Sequence, residues 1–122
     1  LQLGYLPKEE MLPILAHADL LVYPSLYEGF GLPILEAQQA GTPVACSLAG
    51  SLPEVGGESV LYFDPLSVTS IAETVRRALC DSALRNRMCE LGAHNLRRFS
   101  WSQTASATLA VYRDVVFEKK SP

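Results

Sequence analysis

The sequence predicts an α/β domain, a parallel sheet flanked by helices, and three observations carry that prediction. Apolar runs of strand length recur at residues 20–23, 43–46 and 60–63. Stretches with helical spacing separate and follow them. Proline, glycine and serine stand at the junctions, where they stop each run. Strands alternating with helices favour parallel pairing through right-handed crossovers.

The elements follow in order. Residues 1–5 read as a strand and its exit. Residues 8–17 read as a helix, with Pro13 required in its first turn or at a kink. His17 precedes an Ala18-Asp19 turn with no partner nucleophile evident, so a satisfied or exposed histidine is expected there. The strand 20–23 stops at Pro24, which cannot donate to a ladder. A helix is expected over 33–40, capped by Gly41. After the strand 43–46, the loop 47–50 should lie beside the loop that follows strand 20–23, because ligands of open parallel sheets bind at the carboxyl ends of the strands.

Ser51 and Glu54 have the spacing of a capping box, which gives Glu54 a structural role at the start of a short helix. Gly56-Gly57 makes a turn, and Asp64-Pro65 ends the strand 60–63. Val68, Ile71, Ala72, Val75 and Leu79 then recur as one core-facing helical stripe. A further helix carries Leu84, Met88 and Leu91. Ser100 and Gln103 repeat the capping-box pattern ahead of a helix whose Trp101, Ala105, Leu109, Tyr112 and Val116 share one face, expected in the core.

Composition sets the limits. A chain of 122 residues with 48% hydrophobic and 19% charged residues suits one globular domain, residues 1–122. There is no internal repeat, low-complexity tract or flexible linker. No apolar run reaches the roughly 20 residues of a spanning helix and no signal peptide opens the chain, so a soluble, cytoplasmic protein is expected. Cys46, Cys80 and Cys89 are odd in number and form neither a C-x-x-C pair nor a cluster with His17 or His94, so a disulfide framework and a metal site are not expected.

The net charge of -3 hides an asymmetry. Between Glu9 and Val75 there are nine acidic residues and no lysine or arginine, whereas from Arg76 onward nine basic residues face four acidic ones. Without aromatic interleaving, the basic half reads as solvated helix faces, and nucleic-acid binding is not expected.

The chemistry concentrates in residues 24–37, Pro-Ser-Leu-Tyr-Glu-Gly-Phe-Gly-Leu-Pro-Ile-Leu-Glu-Ala. This is a strand end, a glycine-hinged turn and a helix start. Gly29 and Gly31 flank Phe30, so the backbone can take positive φ there and a ligand can approach without meeting a Cβ. Pro33 fits the first helical position, where its missing N–H costs nothing. The N–H groups around Gly31, Leu32 and Ile34 lack helical partners, and the helix dipole adds roughly half a positive charge, so the turn can hold an anion. Glu28 and Glu36 need another explanation, because a carboxylate repels a phosphate. Each can accept hydrogen bonds from vicinal hydroxyls, and they flank the anion site. A ligand with hydroxyls, phosphates and hydroxyls in sequence is a nucleoside diphosphate sugar.

Residues 24–37 resemble the E-x7-E motif of retaining glycosyltransferases of the group 1 type, family 4 in the usual sequence classification. Ala40-Gly41-Thr42-Pro43-Val44, Gly50-Ser51-Leu52-Pro53-Glu54-Val55, Phe63-Asp64-Pro65 and Phe99-Ser100-Trp101 follow in family order. The two-glutamate motif with its embedded GFGLP is the specific part. The resemblance implies a Rossmann-like fold, the C-terminal donor-binding domain of a two-domain enzyme of carbohydrate biosynthesis. It implies that Glu28 contacts the donor sugar, as the catalytic glutamate, that the backbone of Gly29, Phe30, Gly31 and Leu32 contacts sugar and diphosphate, and that Glu36 binds the ribose. It also implies that no metal or other cofactor is needed.

A diphosphate carries roughly two negative charges against about half a charge at a helix start. The resemblance puts the missing cations, commonly Arg and Lys, upstream of Leu1. The chain is therefore expected to be truncated at its front edge, to lack the N-terminal acceptor domain and to be inactive by itself. Membrane association of the whole enzyme is left open. The alternatives are a nucleotide-sugar-binding protein, or an epimerase or phosphorylase of the same architecture. A glycosidase using Glu28 and Glu36 has little use for an anion site. A phosphate-receiving regulatory domain needs a lysine after a late strand, and none occurs from Glu9 through Glu118.

Overall fold

The computed structural model describes residues 1–118, without the side chains of Lys8, Phe117 and Glu118. The elements run α1 (Lys8–Ala16), β1 (Leu21–Tyr23), α2 (Leu32–Ala40), β2 (Val44–Ser47), α3 (Leu52–Gly56), β3 (Leu61–Phe63), α4 (Val68–Cys80), α5 (Ser82–Asn95), a 3-10 turn (Leu96–Arg98) and α6 (Trp101–Glu118). The three strands form one parallel sheet in the order β1-β2-β3. Leu21 pairs with Val44 and Tyr23 with Cys46; Ala45 pairs with Leu61 and Ser47 with Phe63. The expected fold class holds: a Rossmann-like parallel sheet with flanking helices.

Burial explains the strand pattern. β2 lies between two neighbours and every residue in it is buried, as an uninterrupted apolar run in a parallel sheet requires. The core is built from Ile34 and Ala37 of α2, Val44 and Cys46 of β2, Leu52 and Val55 of α3, and Val60. α2 packs on β1 and β2, α5 on α2, and α4 on β3 and β2. Gly41 ends α2 in the left-handed conformation, φ 79°, as its position predicts. Among the described residues no helix is long and apolar enough to cross a membrane.

A buried polar network fastens α5 to this core. Asn95 donates through Nδ2 to Gln38 Oε1 at 3.0 Å and to the Val55 carbonyl at 2.9 Å. Gln38 donates in turn to Ser59 at 2.7 Å. Arg98 donates to Asn95 Oδ1 at 2.7 Å and to the Glu54 carbonyl at 3.0 Å.

Several expectations fail, each for a physical reason. Residues 1–5 form no strand: they pair with no ladder, and their apolar side chains stay exposed. Of the two places open to Pro13, the first turn is not the one it takes: it stands in the interior of α1, and its carbonyl accepts from the His17 ring at 2.8 Å. The stripe on α4 is not core-facing as a whole. Ala78 is buried and Ile71 and Val75 are half-buried, but Val68 is 83% and Leu79 48% exposed, so the apolar face is turned partly away from β3. The face of α6 does not join the core either, since Trp101 is 79%, Leu109 47% and Tyr112 65% exposed. Ser100 does cap α6, weakly, accepting from the Gln103 N–H at 3.5 Å.

Candidate functional site

The site grows from the end of β1. Tyr23 is the last residue of the strand, held in register opposite Cys46, and its ring packs against the core cluster. Pro24 ends the ladder, and the chain turns through residues 24–31 before α2 begins. Glu28, half-buried in that turn, accepts a hydrogen bond from the Tyr23 hydroxyl on Oε1. Ser25 Oγ lies 2.9 Å from the same oxygen. The Tyr27 carbonyl, 3.1 Å from Ser25 Oγ, is the weaker acceptor for its single proton. Both donors therefore act on Oε1, and among the described residues none acts on Oε2.

These bonds set the protonation states. The Glu28 carboxyl is held below its ordinary value, first by the Tyr23 hydrogen bond and then by that from Ser25. Tyr23 is pushed up to about 12, chiefly by burial, then by its bond to Glu28 and the charge there. The pair is thus a neutral phenol donating to a carboxylate throughout the neutral range. A carboxylate so held accepts hydrogen bonds and is a poor general acid.

The next loop braces the first, as the carboxyl-end rule predicts. Ser51 Oγ lies 3.0 Å from the Glu28 carbonyl and 2.9 Å from the Phe30 carbonyl. Its side chain makes no cap bond to α3, so the expected capping box with Glu54 does not form. Ser51 has helical backbone angles, φ -80° and ψ -9°, instead of the extended ones of a capping residue, and its hydroxyl is turned to the two carbonyls of the neighbouring turn. Glu54 is exposed, and its backbone carbonyl is what Arg98 holds.

The two glycines of the turn differ. Gly31 has φ 106°, and a Cβ there would stand 2.6 Å from Leu52 Cδ2 in the core. Gly29 does not take positive φ, contrary to expectation, and open space surrounds the position of its absent Cβ. The fold requires glycine at 31 and not at 29. α2 starts one residue earlier than predicted, so Pro33 is its second residue. Ile34 already donates to the Gly31 carbonyl at 3.1 Å and is not an open donor, which leaves Gly31 and Leu32 as the candidate anion-facing N–H groups.

Glu36, about one turn into α2, lines a cleft of about 270 Å³ with Phe30, Leu32, Phe99 and Trp101. Phe30 meets Phe99 edge to face, with ring centroids 5.8 Å apart. Glu28 is not part of that lining. Arg98 lies 5.1 Å from the Phe99 ring centroid, but its guanidinium is already engaged by Asn95 and Glu54. Among the described residues no group of three His, Cys, Asp or Glu side chains is placed to hold a metal ion. The sequence reading missed Tyr23, Ser25 and Ser51. Ser25 precedes Glu28 by three residues, the one local signal that could have found it; Tyr23 and Ser51 meet Glu28 through the folded turn.

Residues 2–94 match the family described as glycosyl transferases group 1. O-antigen chain mannosyltransferase B of Escherichia coli is 42% identical over 111 residues, which cover 91% of this chain and 29% of that protein. D-inositol 3-phosphate glycosyltransferase of Corynebacterium glutamicum is 36% identical over 112 residues, covering 90% of this chain and 27% of that one. Among solved structures, sucrose-phosphate synthase from Thermosynechococcus elongatus is similar with a TM-score of 0.84 at 28% identity, over 95% of this chain and 30% of that chain. A glycosyltransferase from Rickettsia africae, at 19% identity and a TM-score of 0.74 over 88% of this chain and 30% of that one, shares the fold. The chain spans less than a third of the length of these relatives.

Proposed function

Since the chain belongs to the group 1 glycosyl transferases, we propose that it is the donor-binding part of a retaining enzyme that moves a sugar from a nucleoside diphosphate to an acceptor. The observation that carries this reading is the half-tethered carboxylate of Glu28. Tyr23 and Ser25 occupy Oε1, and Oε2 is left to accept from a hydroxyl. Beside it, the open space at Gly29 supports close approach of a ligand to the main chain. The N–H groups of Gly31 and Leu32, at the start of α2, are the anion donors. As the bond to the leaving diphosphate breaks, charge grows there, and prearranged dipoles stabilise it without reorganisation.

In this reading Glu28 orients the sugar and Glu36 takes the ribose from the cleft side. Glu28 is not the acid of a glycosidase, because its neighbours hold it ionised. The remaining positive charge for the diphosphate comes from residues of the whole protein outside these 122, as does the acceptor site. The 122-residue chain alone is expected to transfer no sugar.

Titration with UDP-, GDP- and ADP-sugars, followed by amide NMR, tests the proposal. A mannosyl donor belongs in the panel because one relative is named a mannosyltransferase. Shifts confined to residues 28–36 are expected, with Glu36→Ala weakening binding roughly tenfold and Glu28→Gln lowering kcat/KM of the whole enzyme roughly 10–100-fold. Absence of binding by the whole protein at millimolar donor would sink the donor-site reading.

A further inference from the structure

We propose that Tyr23 and Ser25 are positioning residues for the transfer reaction: by both donating to Glu28 Oε1 they fix its rotamer and present Oε2 to a hydroxyl of the donor sugar. The inference rests on the donor-site reading above and extends it from the glutamate to the groups that aim it.

The two donors come from different parts of the fold, which is why they define a position rather than merely satisfy a charge. Tyr23 belongs to β1, and its place is set by the ladder with β2 and by packing on the core. Ser25 belongs to the turn itself, whose main chain is fixed independently by Ser51 at the carbonyls of Glu28 and Phe30. A glutamate has three rotatable side-chain bonds, and an untethered one must lose that freedom each time ligand binds. Here the freedom is already lost in the folded protein, so the bond from Oε2 to substrate forms without that entropic cost.

The chemistry of the tether fits the task. The phenol of Tyr23, pushed up to about 12, keeps its proton at any pH where transfer would run. Tyr23 from β1 and Ser25 from the turn are the groups that act on the carboxylate, and no basic side chain among the described residues joins them. Glu28 therefore owes its low-lying titration to two neutral hydroxyls. Removing either raises that titration and lets the carboxyl protonate at higher pH.

The test is the pH dependence of kcat/KM for the full-length protein with its nucleotide-sugar donor, for Tyr23→Phe, Ser25→Ala and Glu28→Gln. Tyr23→Phe is expected to lose roughly tenfold in kcat/KM and to move the acid limb of the profile to higher pH. Ser25→Ala is expected to do the same to a smaller extent, and it decides the matter should Tyr23→Phe destabilise the protein. A tyrosine that only packed against the core would change thermal stability and leave the acid limb in place. If Glu28→Gln loses activity while both hydroxyl variants keep the wild-type kcat/KM and acid limb, the positioning inference is overturned and the donor-site reading stands. If Glu28→Gln transfers as wild type does, the donor role of Glu28 fails and this inference falls with it.

Discussion

The segment from β1 to α3 and the segment from α4 to α6 are both rich in apolar residues, yet they use them differently. In the first, Ile34, Ala37, Val44, Cys46, Leu52 and Val55 are each no more than 1% exposed. In the second, Val68, Leu79, Trp101, Leu109, Tyr112 and Val116 are all more than 45% exposed, and the buried apolar side chains are Ala78 and Met88. Apolar periodicity reports which side of a helix avoids water. It does not report what lies opposite. The stability of this chain is therefore concentrated in the segment that also builds the site.

The strongest way to break that comparison is Leu52→Ala. Leu52 is fully buried, and its Cδ2 fills the space where a Cβ on Gly31 would be. Truncation leaves a cavity in a core that collapses only in part, and a loss of about 2–5 kcal/mol is expected in urea denaturation. The change should also loosen the turn at Gly31 and weaken donor binding. A loss under about 1 kcal/mol would mean that the core is less tightly committed to the site than its burial indicates.

Asn95→Ala probes the join between the two segments. Its amide nitrogen holds both Gln38 and the Val55 carbonyl, and its oxygen accepts from Arg98. Removing it strands those buried groups, with an expected cost of about 1–3 kcal/mol by the same measurement. Because the bonds to Gln38 and Val55 are buried whereas Arg98 is exposed, the effect should exceed that of Arg98→Ala, even though the latter also frees the Glu54 carbonyl.

The same contrast explains what could be read from the sequence. β1, β2 and β3 were legible within one residue because buried parallel strands are short, apolar and stopped by proline or serine, and those signals are local; the run 1–5 carries a similar pattern but forms no strand. The pairing of turn, glycine and helix start at residues 28–36 was legible for the same reason. What failed was non-local. Ser51 reads as a cap by spacing, but its hydroxyl meets the carbonyls of Glu28 and Phe30, more than twenty residues away in the chain. Tyr23 reads as one more apolar strand residue, and only the folded turn brings Glu28 under its hydroxyl. Gly29 and Gly31 look equivalent in sequence, and the core distinguishes them.

The smallest effect is expected where the sequence promised a large one. Leu109→Ala removes an apolar side chain from the predicted core face of α6, but that side chain is 47% exposed, and the neighbouring Tyr112 and Val116 are more exposed still. Half of its surface is in water before and after the change, no cavity forms, and alanine is the better helix former. The burial lost and the propensity gained nearly cancel, so the stability of the chain should move by less than about 0.5 kcal/mol. The result sharpens the comparison through the same substitution made in the full-length protein. An equally small change there would mean that α6 lies in solvent in both. A loss of about 2 kcal/mol or more there, with none in this chain, would mean that this face of α6 is covered in the whole protein.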